Sequence, residues 1–163
     1  MLKKGQVIAD RFVVEGVLGQ GGMAVVYKVR HKVLDSAHAP KVLFITAPSI
    51  TRRLIREGKT QASLSHPNVV AVTDVLKIGD SPALVMEYVN GPALDLWLSK
   101  NKPTVEQALW LFKGILLGVG AAHKKGVIHR DLKPANVILA PASEGVVPKV
   151  ADFGLVKSLE EGL

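Results

Sequence analysis

The chain has 163 residues, 48% hydrophobic and 21% charged, a balance that allows a packed core and excludes a disordered or fibrous chain. It has no cysteine, which excludes disulfides, thiolate metal sites and cysteine nucleophiles and fits a reducing compartment, the cytoplasm by default. The formal net charge of +7 favours polyanions, but the basic residues are scattered in small groups such as Lys3/Lys4, Arg52/Arg53/Arg56 and Lys124/Lys125 with few aromatics between them, so nucleic acid is not an expected partner.

Gln6, Asp10 and Arg11 interrupt any apolar run at the N-terminus, so no signal-peptide core is expected. Residues 11–18 (RFVVEGVL) and 25–30 (VVYKVR) flank a glycine cluster and predict two strands joined by a tight turn. Residues 41–45 (KVLFI), 69–75 and 83–89 (ALVMEYV) predict further strands, and a charged helix is expected over 51–65, ending before His66-Pro67. After Asn90-Gly91-Pro92 the pattern turns helical, first over 93–99 and then over 104–125. Thr104 is placed as the N-cap of the longer helix, ahead of apolar positions that include Ala108, Leu109, Phe112, Ile115 and Leu116. Its most apolar part, 108–122, is broken by Lys113 and is shorter than the roughly 20 residues a span needs, so no membrane crossing is expected. Short strands over 137–140 and 149–151, separated by a loop in APASEGVVP, complete an α+β pattern that divides near residue 90.

The stretch LGQGGMAVVYK, residues 18–28, satisfies more than one phosphate-binding pattern. A dinucleotide turn needs a helix directly after the glycines, and VVYKVR is a strand former. A P-loop needs Gly-Lys-Ser/Thr, which the cluster lacks. What remains is a glycine-tipped hairpin, either a flap whose amides close over phosphates or a turn with no ligand.

Downstream stand HRDLKPAN, residues 129–136, and DFG, residues 152–154. With these motifs in order, the sequence resembles the eukaryotic-like protein kinases, and in particular the bacterial serine/threonine kinases, from about Gln6 to Gly154. The resemblance implies a small lobe over 1–89, an antiparallel sheet with one main helix, and a mainly helical lobe over 90–163. It implies ATP and Mg2+ as cofactors and a protein bearing serine or threonine as substrate. Leu18, Gly19, Gln20, Gly21, Gly22 and Val26 would hold the nucleotide, with Val25 and Ala39 roofing the adenine. Met86 would be the gatekeeper, and the backbone of Glu87 and Val89 would bond the purine edge. Lys41 would contact the α- and β-phosphates and Glu57 would pair with that lysine. Asp131 would orient the substrate hydroxyl and accept its proton, Lys133 would contact the transferring phosphate, and Asn136 and Asp152 would hold magnesium. Arg130 would receive an activation-loop phosphate, whereas His129 and Phe153 would be packing residues. His123, Trp97 and Trp110 read as ordinary core or surface residues.

Three small departures stand out. Ala24 replaces the third glycine, which costs about 1 to 2 kcal/mol if that position needs a positive φ. Pro40 precedes the key lysine in what should be a central strand. The stretch between Asn136 and Asp152 is longer than the pattern requires, which points to a longer surface turn around Ser143, Glu144 and Gly145. The large departure is that the chain stops at Leu163, before the A-P-E motif and the helices that the resemblance calls for. On that reading the second lobe is truncated, and the apolar face of helix 104–125 is left open to association.

Overall fold

The computed structural model describes residues 1–153, and Gly154 with the start of the expected activation segment lies outside the described residues. The chain forms two compact units, one of Met1–Ala62 with Val72–Tyr88 and a second of Ser63–Ala71 with the chain from Val89 onward. A single cut near residue 90 assigns Ser63–Ala71 to the first unit, whereas the folded chain passes between the units three times.

The first unit is a six-stranded antiparallel sheet with one helix. Its elements are β1 (Val7–Ile8), β2 (Phe12–Gln20), β3 (Ala24–His31), β4 (Ala37–Leu43), α1 (Pro48–Ala62), β5 (Val72–Ile78) and β6 (Ser81–Glu87), in the sheet order β1-β2-β3-β4-β6-β5. The pleat sorts side chains onto two faces. One face carries a core of Ile8, Phe12, Val14, Val25, Tyr27, Val29, Val42, Ala83 and Val85, all buried. The other carries Val26, Ala39, Lys41, Leu84 and Met86, through the register pairs Val26 with Lys41, Lys41 with Leu84 and Ala39 with Met86. α1 starts with Pro48 at its first helical position, where the missing N–H is unneeded. It packs on β5 and β6 through Gly58, whose added β-carbon would meet Leu84 Cδ1 and Val75 Cγ2 at 2.8 Å.

Pro40 sits inside β4, a central strand, because the donor it lacks falls on one side only. The β3–β4 register runs from Ala24–Leu43 to Val26–Lys41 and resumes at Val29–His38, skipping the positions where Tyr27 and Lys28 face Pro40 and Ala39. On the β6 side Pro40 stays paired with Val85. The sheet thus tolerates the proline by opening one ladder locally, and the strand begins at Ala37 rather than at Lys41.

The second unit contains α2 (Leu94–Lys100), α3 (Val105–Lys124), a short 3-10 turn (Pro134–Asn136) and the antiparallel hairpin β7 (Val137–Ala142) with β8 (Gly145–Val150). Two apolar clusters hold it. Leu94, Leu111, Val137 and Leu139 tie α2 and α3 to β7, and Leu64, Val69, Ala122, Val150 and Phe153 tie α3 to β8 and to the Ser63–Ala71 segment. Thr104 caps α3 as expected, within a full capping box: Gln107 N–H donates to Thr104 Oγ1 (3.1 Å) and Thr104 N–H donates to Gln107 Oε1 (3.0 Å). The far end closes at Gly126, with φ +74°, where the Gly126 and Val127 N–H groups donate to the carbonyls of His123 and Ala122.

Two expectations change here. The APASEGVVP stretch is mostly strand, since Ala142 pairs with Gly145 and the added residues lengthen the hairpin instead of forming a loop. α3, whose apolar stretch 108–122 is expected to be too short to span a bilayer, has 20 residues and is long and apolar enough to cross one by length and composition alone. Within this unit, however, its Gly114 and Gly118 press on Asn68 and Pro148 of neighbouring segments, and Leu111 and Ala122 are buried beside them.

Candidate active site

The predicted nucleotide and catalytic residues fall into two groups, one in each unit. In the first unit the glycine turn joins β2 to β3, and Gly21 N–H donates to the Ala24 carbonyl (2.9 Å). Ala24 is a regular first residue of β3, paired with Leu43 and buried at its Cβ, and it is absent from the positive-φ residues. The penalty expected there is not incurred, because the strand has already begun. Gly19, Gly21 and Gly22 have ordinary φ angles, and an added β-carbon at each would meet nothing within 4 Å.

Val26, Ala39, Lys41 and Met86 share one sheet face. Val25 belongs to the opposite face, buried in the core cluster that includes Phe12, Tyr27 and its partner Val42, so it does not roof a ligand bound at Lys41. The β3–β4 register, Val26 with Lys41 and Val25 with Val42, together with the alternation of the pleat, decides between the two adjacent valines. Lys41 is 8% exposed, and no other lysine or arginine and no carboxylate is buried among the described residues. Burying an ammonium is costly, a cost that its partners must offset.

Glu57 lies on α1 with its carboxylate against Arg53 Nε (3.4 Å), one turn earlier on the same helix. That is a different partner from the expected lysine. Beside this face, Glu15 bridges Arg30 Nε (2.6 Å) and Lys28 Nζ (3.2 Å), and these cations, Arg30 foremost, hold its carboxyl below the ordinary carboxylate range. Lys28 also lies over the Tyr88 ring, 4.7 Å from its centroid, which anchors the residue that follows β6.

The second group is held by backbone geometry. Asn136 Nδ2 donates to the Asp131 carbonyl (2.8 Å), closing the five-residue spacing into one turn, and Lys133 Nζ lies 3.4 Å from Asp131 Oδ2. The Ala151 N–H donates to the Asn136 carbonyl (2.8 Å), which sets Asp152 next to the same turn. Buried His129 links both strands of this arrangement. Its Nδ1 accepts from the Asp131 N–H (3.2 Å), and its Nε2 lies 2.6 Å from the Ala151 carbonyl, so the proton resides on Nε2. The ring also packs on Phe153, with centroids 4.8 Å apart. His129 is therefore a positioning residue, a role that reading it as packing missed. Arg130 (φ +68°) and Asp152 (φ +60°) both adopt the left-handed region, at a cost on the order of 1 kcal/mol each. Two such residues at one turn mark a place where position outweighs local comfort.

Both groups suit the cofactors that the sequence implies. Open space over the glycines and a buried cation suit phosphate oxygens. The Asn136 amide oxygen is not used in the bond that its Nδ2 makes, and it and the Asp152 carboxylate are the kind of oxygen donors that magnesium would accept alongside phosphate.

Comparison with known proteins agrees with this geometry. A family model described as the protein kinase domain matches residues 12–163. The probable serine/threonine-protein kinase PknB of Lactococcus lactis subsp. lactis (strain IL1403) is 39% identical over 166 residues, covering 99% of this chain and 26% of that protein. PrkC, a serine/threonine-protein kinase of Bacillus subtilis (strain 168), is 34% identical over 159 residues, covering 95% of this chain and 24% of that protein. A crystal structure of the Mycobacterium tuberculosis PknI kinase domain superposes with a TM-score of 0.81 at 30% identity, covering 96% of this chain and 64% of that one. The chain thus spans about a quarter of the length of these curated relatives. The matched family, the two sets of motif residues and the α+β architecture agree: this chain belongs to the protein kinase domain family.

Proposed function

We infer that the chain carries the nucleotide-binding and catalytic-loop parts of a serine/threonine protein kinase that transfers the γ-phosphate of ATP to a protein hydroxyl. The observation that carries this reading is the turn of the second unit, where Asp131, Lys133 and Asn136 are linked to one another and, through Ala151 and His129, to Asp152. Phosphoryl transfer is mostly positioning and charge neutralisation, and these residues supply both. Asp131 orients the hydroxyl and takes its proton, and Lys133 neutralises charge on the moving phosphate. Asn136 and Asp152 would hold magnesium, which when bound would offset the phosphate charge. In the first unit Lys41 binds phosphate oxygens, the amides of residues 19–22 cover them, Val26 and Ala39 face the adenine, and Met86, Glu87 and Val89 form the hinge. A cytoplasmic setting, where ATP is available, is consistent with a chain that has no cysteine.

The test compares Mg-ATP binding with phosphate transfer to a serine- and threonine-bearing protein. Asp131→Asn is expected to lower transfer by roughly 10²- to 10⁴-fold while leaving nucleotide binding and thermal stability intact. Lys41→Met is expected to weaken nucleotide binding itself. Transfer that survives Asp131→Asn at full rate overturns the assignment.

A second reading has its own support. Glu57 is bonded to Arg53 in place of the expected lysine, which fits a module that binds nucleotide or a partner without transferring phosphate. Val105, Leu109, Phe112 and Leu116 of α3, each more than half exposed, offer the apolar face through which such a module associates. Saturable Mg-ATP binding with no transfer above the Asp131→Asn background would establish it.

A further inference from the structure

The face of β3 that carries Val26 also carries Lys28 and Arg30, because side chains alternate along a strand and Val25, Tyr27 and Val29 fill the core on the other side. Two cations side by side on one face repel each other unless an acid stands between them. β2 supplies that acid. Val14 pairs with Val29 and Gly16 with Lys28, so Glu15 is an extra residue in β2, a bulge that bends the strand and re-aims a side chain. Its Oε2 lies 3.2 Å from Lys28 Nζ and its Oε1 lies 2.6 Å from Arg30 Nε.

Lys28 has a second neighbour, the Tyr88 ring, whose centroid is 4.7 Å from the ammonium. We propose that Glu15, Lys28 and Tyr88 form a clamp that fixes the Glu87 carbonyl and thereby sets a preference for adenine over guanine nucleotides. The link is covalent geometry. The Glu87 carbonyl and the Tyr88 N–H share one rigid peptide plane, so holding Tyr88 limits how far that carbonyl can turn. The β4–β6 ladder ends at the His38–Glu87 pair, one residue short of Tyr88, and the ring contact carries the constraint that one residue further. Glu15 acts at one remove: it holds Lys28 in place, and Lys28 holds the ring. All three are positioning residues.

The bearing of the clamp on nucleotide choice rests on the reading above, in which the Glu87 backbone bonds the purine edge. A carbonyl oxygen only accepts hydrogen bonds. Adenine offers it the exocyclic amine, a donor, whereas guanine places a carbonyl oxygen at the same position, so two acceptors would meet with no proton between them. Rejection of guanine then depends on the protein carbonyl staying where it is, since one that turns aside escapes the clash. Lys28 and Glu15 each keep about a third of their side-chain surface exposed and Tyr88 is half-buried, so the clamp lies at the edge of the sheet rather than in its core. Its chemistry also defines which replacements preserve it. Arginine at position 28 keeps a cation over the ring, and phenylalanine at position 88 keeps the aromatic face.

The test is calorimetric titration of the full chain with Mg-ATP and with Mg-GTP, beside the thermal midpoint of each variant. Lys28→Met and Tyr88→Leu are each expected to weaken Mg-ATP binding about fivefold and Mg-GTP binding less than about twofold, so that the ratio of the two affinities falls. The double variant is expected to do no worse than either single one, because both remove the same contact. Glu15→Gln, which leaves Lys28 without its charged partner, is expected to lower the ratio about threefold. Lys28→Arg and Tyr88→Phe are expected to keep the parent ratio. A merely structural role would lower the thermal midpoint and weaken both nucleotides alike. An unchanged ratio in Lys28→Met and Tyr88→Leu, an equal loss for both nucleotides, or additive losses in the double variant would each overturn the clamp while leaving the nucleotide reading in place. Failure of the unaltered chain to bind Mg-ATP saturably would overturn both.

Discussion

At Gly91, Gly114 and Gly118 of the second unit a β-carbon would run into the Leu139 carbonyl, the Pro148 ring or the Asn68 carbonyl, whereas at Gly19, Gly21 and Gly22 of the first it would meet nothing. The first set is demanded by the packing of the chain on itself. The second set is not, since those residues also keep ordinary φ angles. Bare backbone of this kind suits a phosphate group, whose oxygens need uncovered amides, in keeping with the nucleotide-binding role proposed above.

The largest effect expected along this contrast is Gly91→Ala. Its methyl would overlap a carbonyl oxygen that cannot move without breaking the Leu139 N–H bond to the Pro92 carbonyl (2.9 Å). A loss of about 3 kcal/mol is expected, read as a lowered denaturation midpoint, and an unchanged midpoint would dissolve the distinction between the two sets. Next comes His129→Ala, which leaves the Asp131 N–H and the Ala151 carbonyl without their partner in a buried place. About 2 kcal/mol of stability is expected to go, together with phosphate transfer, while nucleotide affinity changes less than transfer does.

Gly21→Ala should do the reverse of Gly91→Ala: stability is expected to hold or rise by about 0.5 kcal/mol, while Mg-ATP affinity falls. Calorimetric melting beside nucleotide titration separates the two readouts. The smallest effect concerns acid. His38, ringed by Phe12, Ser36 and Thr73, has its pKa lowered from the ordinary 6.5, first by burial and then by the nearby His31 charge. A base with a depressed folded pKa binds its proton better when unfolded, so this contribution is neutral well above pH 6.5 and becomes destabilising as pH falls through it. It levels off below the folded pKa. Much of the ring is solvated, so a fraction of a kcal/mol is expected, and His38→Gln should flatten the difference between denaturation midpoints measured above and below pH 6.5.

Much of this site was legible in the residues themselves. The Asp131–Asn136 spacing, the glycine cluster before a β-branched run, and Thr104 ahead of an apolar helix face are local patterns, and each has a local physical cause. What escaped was decided by distant neighbours. VVAVTDV, residues 69–75, looks like one strand, yet Val69 and Val70 join Val150 in the second unit, and β5 begins only at Val72. Val25 and Val26 are chemically alike, and the register with β4, a strand more than ten residues further along the chain, chooses which faces Lys41. Pro40 hid the start of β4, because the ladder that accommodates it is made by another strand. Ser143 and Glu144 signalled a turn correctly, but strand pairing on either side, through Pro141–Val146 and Leu139–Pro148, overrode the loop chemistry of the prolines. Trp97 and Trp110 carried no periodic signal, and only the fold sets them in one groove.

The threading of Ser63–Ala71 into the second unit also bears on how the protein is made. Asn68 Nδ2 donates to the Pro148 carbonyl (2.9 Å) and Val150 N–H donates to the Asn68 carbonyl (2.8 Å), bonds that join positions 80 or more residues apart. As the polypeptide leaves the ribosome, the sheet of the first unit has all its strands once Glu87 has emerged. Leu64 and Val69 must then wait, uncovered, until β8 is synthesised. A nascent chain halted between those two points presents a finished sheet joined to a sticky, unsatisfied segment, which is the stage at which a chaperone has something to hold.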